Sequence, residues 1–356
     1  MALTLSQKAI VARAQAVGAG RQGVALSQDA CNYLLAVIAD DLGLRDRFPE
    51  IAVAPPPFFG AEPPKGLALP GLDFMGLFER LVGLGPDADT YFHCLATLHK
   101  ARLKYERILE TQPIPTIDQV GPRGLLQYGA IGSKALTAFL LWRKWIFDVD
   151  NRAAQETGYM FEPIIASAIG GVPVSAARSP VRRTSDVGKG RQVDCVRPDG
   201  KVYEIKLRVT IAASGQGRWK EELEFPSDCK ASNLHPVLIV LDPTPNPKLE
   251  ELRERFLAAG GDAHVGEDAW RHLAAQAGPT MSRFLDLYVH KPIADLLAHM
   301  PENPDDLPSM TLGMNAGAMN VAIGGDSLVI RRDPLASERS DDDPSPDDVD
   351  ESLPGP

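Results

Sequence analysis

RQVDCVRPDGKVYEIKLRV, from Arg191 to Val209, sets two β-rich runs on either side of Pro198-Asp199-Gly200. Pro, Asp and Gly in that order favour a type I turn closed by a glycine in the left-handed region, the chemistry of a three-residue hairpin loop. The loop pairs Arg197 with Lys201. Counting outward puts Val196 opposite Val202, Cys195 opposite Tyr203, and Asp194 opposite Glu204. Alternation along a strand then places Glu204, Lys206 and Arg208 with Asp194 on one face. Tyr203, Ile205, Leu207 and Val209 take the other, which the reading assigns to the core. Two acids and a lysine are left together on a surface where folding does not ask for them.

Carboxylates facing each other across a strand pair repel unless positive charge lies between them. A hard divalent cation with oxygen ligands, Mg²⁺ above all, answers that need, with Asp194 and Glu204 as its ligands. Lys206 then stands where it can orient or help deprotonate a water beside the metal. This is phosphodiester hydrolysis chemistry. The chain has three acid-x-lysine triplets, at Asp199, Glu204 and Asp228. Only the middle one lies in an alternating strand with an acid facing it; the first is the turn itself, and the third reads as a polar loop after Pro226.

These residues resemble the signature of the PD-(D/E)xK nucleases: Asp194, nine intervening residues, then Glu204-Ile205-Lys206. The family's proline before the first acid is absent, since Val193 stands there. The resemblance implies that the two acids bind Mg²⁺, that Lys206 serves the attacking water, and that a further acid lies on the helix before the sheet. Glu162 matches that position, with Glu156 in reserve. A helix cap is the alternative role for Glu162.

The formal net charge of the 356 residues is −10, but from Asp333 onward there are nine acids and one base, so the rest is nearly neutral. From Arg178 to Lys220 eleven bases stand against four acids, the electrostatic footprint of a protein that grips a phosphate backbone. Arg182, Arg183, Lys189 and Arg208 are the phosphate-contact candidates. Gln216 and Arg218, in the glycine-flanked run Gly215-Gln216-Gly217-Arg218-Trp219, carry the side chains that read adenine and guanine edges. Apolar runs such as Val237 to Leu241 are too short to span a bilayer, and the four scattered cysteines show no metal spacing. A cytoplasmic protein with reduced thiols is expected.

Along the chain, residues 1 to 47 read as helical, followed by a proline-rich connector and helices over 72–82 and 87–110. An irregular segment spans 112–124, and a helix runs from Ser133 to about Thr157 with Trp142 and Trp145 as packing anchors. A short helix begins near Glu162, where Pro163 suits a first turn, and ends at Gly170-Gly171. Strands are predicted around 173–184, 191–197, 201–209 and 235–241, with a helix near 217–224 before the last. Helices over 248–259, 267–276 and 281–299 and a hairpin around Gly324-Gly325 follow. The expected class is α/β (α+β): a restriction-endonuclease-like core with a mixed sheet flanked by helices and a helical N-terminal region. Residues 1–150 form the helical region, for dimerisation or DNA recognition; residues 151–332 form the nuclease core; residues 333–356 form an acidic tail that reads as disordered.

This order resembles a type II restriction endonuclease, and Glu204 to Arg208 followed by Gly215 to Trp219 is similar to the ApaLI-like enzymes. The resemblance implies Mg²⁺-dependent, sequence-specific cleavage of double-stranded DNA with 5′-phosphate ends by a homodimer. A structure-specific repair or junction-resolving nuclease and a non-enzymatic DNA-binding protein are the alternatives.

Overall fold

The turn forms as its residues dictate. The Gly200 N–H donates to Arg197 O at 3.1 Å, Arg197 N–H donates to Lys201 O at 2.9 Å, and Gly200 takes φ +82°. The strands it joins, β4 (Val193–Val196) and β5 (Lys201–Lys206), pair Cys195 with Tyr203 and Val196 with Val202, in the predicted register. The computed structural model describes residues 2–18, 23–60, 62–207, 216–315 and 317–332, without the side chains of 216–218 and 304. The tail from Asp333 and the residue Arg208 lie outside the described residues.

Before the hairpin come helices α1 (Leu5–Gln15), α2 (Gln28–Asp41), α3 (Phe74–Leu84), α4 (Ala88–Thr111), α5 (Ile117–Gly124) and α6 (Ser133–Ala168), then strands β1 (Val172–Val174), β2 (Arg182–Arg183) and β3 (Asp186–Gly190). After it come α7 (Gln216–Ala231), β6 (His235–Val240), α8 (Pro247–Ala258), β7 (Asp262–Val265), α9 (Glu267–Leu285) and α10 (Lys291–Ala298). Strands β8 (Met310–Asn315), β9 (Ala318–Ile323) and β10 (Asp326–Arg331) close the described chain. The main sheet has the order β1-β4-β5-β6-β7, antiparallel up to β5 and parallel from β5 onward. It is the mixed, helix-flanked sheet expected.

Several boundaries differ from the expectation. Residues 133–168 form one continuous helix that passes through Pro163. Proline tolerates a first turn but does not require one; inside α6 it removes a single N–H. The following turns are held by burial of Ile164, Ile165, Ala166 and Ala168 in the core. Glu162 is therefore not a cap. Helix α5 occupies the segment expected to be irregular, with Thr116 and Gln119 forming its capping box. The predicted strand over 173–184 divides: β1 joins the main sheet, whereas β2 pairs with β3 in a separate hairpin. Asp228-Cys229-Lys230 lies in α7, not in a loop. The late hairpin forms, with β8 added as a third strand.

The largest correction concerns the faces of the sheet. Both are buried. Cys195, Tyr203, Ile205, Val237 and Ile239 pack with the N-terminal helices, α6 and α9 in one core. Val202, Leu238 and Val240 pack under Phe225 and Cys229 of α7 and Leu252 and Phe256 of α8 in a second. The parallel connections β5-α7-β6 and β6-α8-β7 lay both helices over the acid-bearing face. That face is largely an interior surface, on which Glu204 and Lys206 keep partial exposure.

Helix α6 stops against the sheet with a Schellman motif. Gly171 N–H donates to Ala166 O at 2.8 Å, Gly170 N–H to Ser167 O at 3.1 Å, and Gly170 takes φ +72°. A Cβ at Gly171 would lie 2.2 Å from Cys195 Sγ, so glycine is what lets the helix end rest on β4. Residue 150 falls within α6, and the first core runs without a break from Ile10 to Val289.

Candidate active site

The site lies where β4 begins and β5 ends, beside the switch from antiparallel to parallel pairing. Between Val193 and Val196 of β4 there are three steps, against two between their β1 partners Val174 and Val172. The extra residue is a β-bulge at the strand that carries Asp194, a device that re-aims side chains near active sites. Asp194 turns its carboxylate back onto the hairpin, where Oδ2 accepts the Ile205 N–H at 2.8 Å.

Lys206 Nζ donates to Glu204 Oε1 at 3.0 Å and lies 3.5 Å from Glu222 Oε2 on α7. Lys206 and Glu204 side chains each keep 18% of their surface, so both stay partly accessible. Burial and the charges of Glu204 and Glu162 push the Asp194 carboxyl well above the usual carboxylate range, against the Ile205 N–H and Lys206. Burial first, then Glu204, raises Glu162 to about 7, with Lys206 opposing. Burial favours the neutral form of Lys206, but Glu204, Glu222 and Asp194 outweigh it and raise its pKa, so it is held as an ammonium.

Asp194, Glu204, Lys206 and Glu162 thus form one electrostatic cluster. Glu222 is the member that the sequence reading missed; its signal was the acidic run Glu221-Glu222-Leu223-Glu224 just beyond the basic segment. Glu156, held in reserve, is instead paired with Lys104 at 2.6 Å.

Four carboxylates share one lysine, so the cluster lacks positive charge, and burial first and then the neighbouring carboxylates raise Asp194 and Glu162. Oxygen donors deficient in countercharge fit a hard divalent cation. Among the described residues no three carboxylate, imidazole or thiol side chains converge tightly enough to ligate one ion by themselves. A hard divalent cation held there would take one or two of these carboxylates and complete its shell with water.

The basic segment is more neutralised than its count implies. Arg183 meets Glu221 at 2.8 Å, and Lys189 meets Asp186 at 3.2 Å. Arg191 is buried and bonded to Asp228 and Glu224. Arg182 is exposed on β2, where its N–H donates to Ser232 Oγ at 3.0 Å and ties that hairpin to α7. Counting on to Lys230 gives twelve bases against eight acids, because α7 folds its acids back onto the strands. Gln216 and Arg218 begin α7, and their side chains lie outside the described residues. Asp242 Oδ1 accepts the Thr244 N–H at 2.8 Å in the turn after β6.

A family model described as ApaLI-like restriction endonuclease matches residues 75–290. The chain is also 45% identical over 285 residues to a protein named Type II restriction enzyme ApaLI from Acetobacter pasteurianus, and the match covers 76% of each chain. No solved structure matches it.

Proposed function

The chain belongs to the ApaLI-like restriction endonuclease family, and we propose on that premise that it is a type II restriction endonuclease. It hydrolyses phosphodiester bonds of double-stranded DNA at a defined sequence, with Mg²⁺ as cofactor, leaving 5′-phosphate and 3′-hydroxyl ends. The observation that carries the reading is the juxtaposition of Asp194, Glu204 and Lys206 where β4 begins and β5 ends, with Lys206 3.0 Å from Glu204.

Asp194 and Glu204 would hold the cation, and Glu162 adds a third carboxylate to the same charge-deficient cluster. When bound, the cation polarises the scissile phosphate and lowers the pKa of a coordinated water. The Ile205 N–H fixes the orientation of the Asp194 carboxylate. Lys206 is kept charged by Glu204, Glu222 and Asp194. It serves as a hydrogen-bond donor that orients the attacking water and offsets negative charge in the transition state.

Arg182, Arg183, Lys189 and Arg208 are assigned to phosphate contacts and Gln216 and Arg218 to base edges. Arg183 and Lys189 would exchange their present acids for phosphate on binding. Residues 1–150 serve dimerisation or DNA recognition, since cutting both strands of a palindrome calls for a two-fold homodimer. No helix among the described residues is long and apolar enough to cross a membrane.

The test is digestion of phage genomic DNA by wild type and Asp194→Ala, each with Mg²⁺ or EDTA. Discrete bands from wild type with Mg²⁺ alone, and intact DNA with the variant, are expected. Cleavage by the variant at the wild-type rate would overturn the assignment.

A further inference from the structure

Between α6 and the segment joining α4 to α5 lies a cleft of about 670 Å³. We infer that the exposed amides of this cleft, Asn151 and Gln155, read base edges in the major groove of the cleaved DNA. The inference rests on the nuclease reading and names the surface that gives it sequence preference.

Three observations carry it. The first is composition: amides dominate the polar lining, with Gln112, Gln119, Asn151 and Gln155 beside Arg152. Asn and Gln form bidentate bonds with adenine, and Arg with guanine. Lys144 in the same cleft is matched by Asp148, so the lining carries little net charge. A surface for phosphates would be basic; one built of amides suits base edges.

The second is access. The Asn151 and Gln155 side chains are exposed at the cleft, whereas Gln112, 5% exposed, is too buried to reach a base edge.

The third is alignment with the acids. Residues 151, 155 and 162 share one face of the continuous helix α6, as spacings of four and seven require. At a rise of 1.5 Å per residue, Gln155 lies about 10 Å and Asn151 about 16 Å along the axis from Glu162. Along a duplex lying parallel to α6, with bases stacked at about 3.4 Å, those distances would correspond to about three and about five base steps. One rigid element therefore spaces the readers from the cleavage chemistry by the length of a short recognition site.

The experiment maps the wild-type site by sequencing fragment ends. It then measures cleavage of duplexes carrying that site and each of its single-base-pair variants by wild type, Asn151→Ala and Gln155→Ala. Both side chains are exposed, and unchanged thermal midpoints verify folding. Each variant is expected to cut the wild-type site roughly ten- to a hundredfold more slowly and to lose discrimination at one base-pair position. Non-specific duplex binding at low salt stays unchanged. Discrimination equal to wild type at every position in both variants overturns the inference. Absence of discrete fragments from wild type itself would instead overturn the nuclease reading beneath it.

Discussion

Lys206 Nζ meets Glu204 Oε1 at 3.0 Å from two residues along the same strand. Such a contact forms because residues two apart share a face, and it ties the lysine to the acid assigned to the metal. In Lys206→Ala the acids keep their oxygens but lose their one cation. Turnover should fall about a hundredfold or more, while Mg²⁺ affinity holds or rises. Single-turnover cleavage and calorimetric titration check the two halves; a loss of Mg²⁺ binding would contradict the division of roles.

Asp194→Asn retains an oxygen for the Ile205 N–H but removes a charge that burial and two neighbouring acids oppose. In EDTA the variant should melt higher than wild type at neutral pH. Its cleavage with Mg²⁺ should fall at least about a hundredfold, because metal charge stabilisation is worth several kcal/mol. Melting scans beside a digestion assay separate the effects.

Glu162 makes a pH prediction. Its folded pKa of about 7 lies above the unfolded value of about 4.3. The folded form therefore binds the proton more tightly, and stability without metal rises as pH falls through 7 toward the unfolded value. Comparing wild type with Glu162→Gln in EDTA between pH 8 and 6 should show a steeper rise in wild type, since Asp194 stays raised in both. Equal slopes would remove Glu162 from the cluster.

Asp228 behaves in the opposite sense. Burial disfavours its charge, but Thr184 and the buried Arg191 outweigh it and hold the carboxyl below its ordinary range. Its stabilising contribution is present above the unfolded pKa and is lost as pH falls through the folded one. Asp228→Ala leaves Arg191 buried without that partner and should cost about 3–5 kcal/mol, by denaturant melts at pH 7. The same variant should lose less stability than wild type on acidification below pH 4.

Gly171→Ala would press a methyl group into Cys195 Sγ, next to Asp194. Overpacking of this kind costs about 1–3 kcal/mol. Since relief must move β4 or the end of α6, cleavage should drop along with the melting temperature. A variant equally active and equally stable would show that the helix end is not rigidly seated.

The hairpin was legible because everything that specifies it lies within some twenty residues. Pro198, Asp199 and Gly200 set the turn, the turn set the register, and alternation put Asp194, Glu204 and Lys206 together. Amphipathic spacing likewise outlined α4 and α8, and the apolar run from His235 marked β6. Pro163 misled because a residue that favours helix starts is also tolerated within a helix whose later turns are buried.

The sequence by itself determined the local geometry of the hairpin and which side chains share its acid-bearing face, since turn conformation and side-chain alternation act between near neighbours. Only the tertiary structure decided that the acid-bearing face lies under α7 and α8, that Glu222 reaches Lys206, and that α6 carries both Glu162 and the amides of the cleft. It also paired Arg183, Lys189 and Arg191 with acids that a linear count treats as separate. Those outcomes depend on which buried surfaces meet and which charges burial brings together, and spacing along a chain does not encode either.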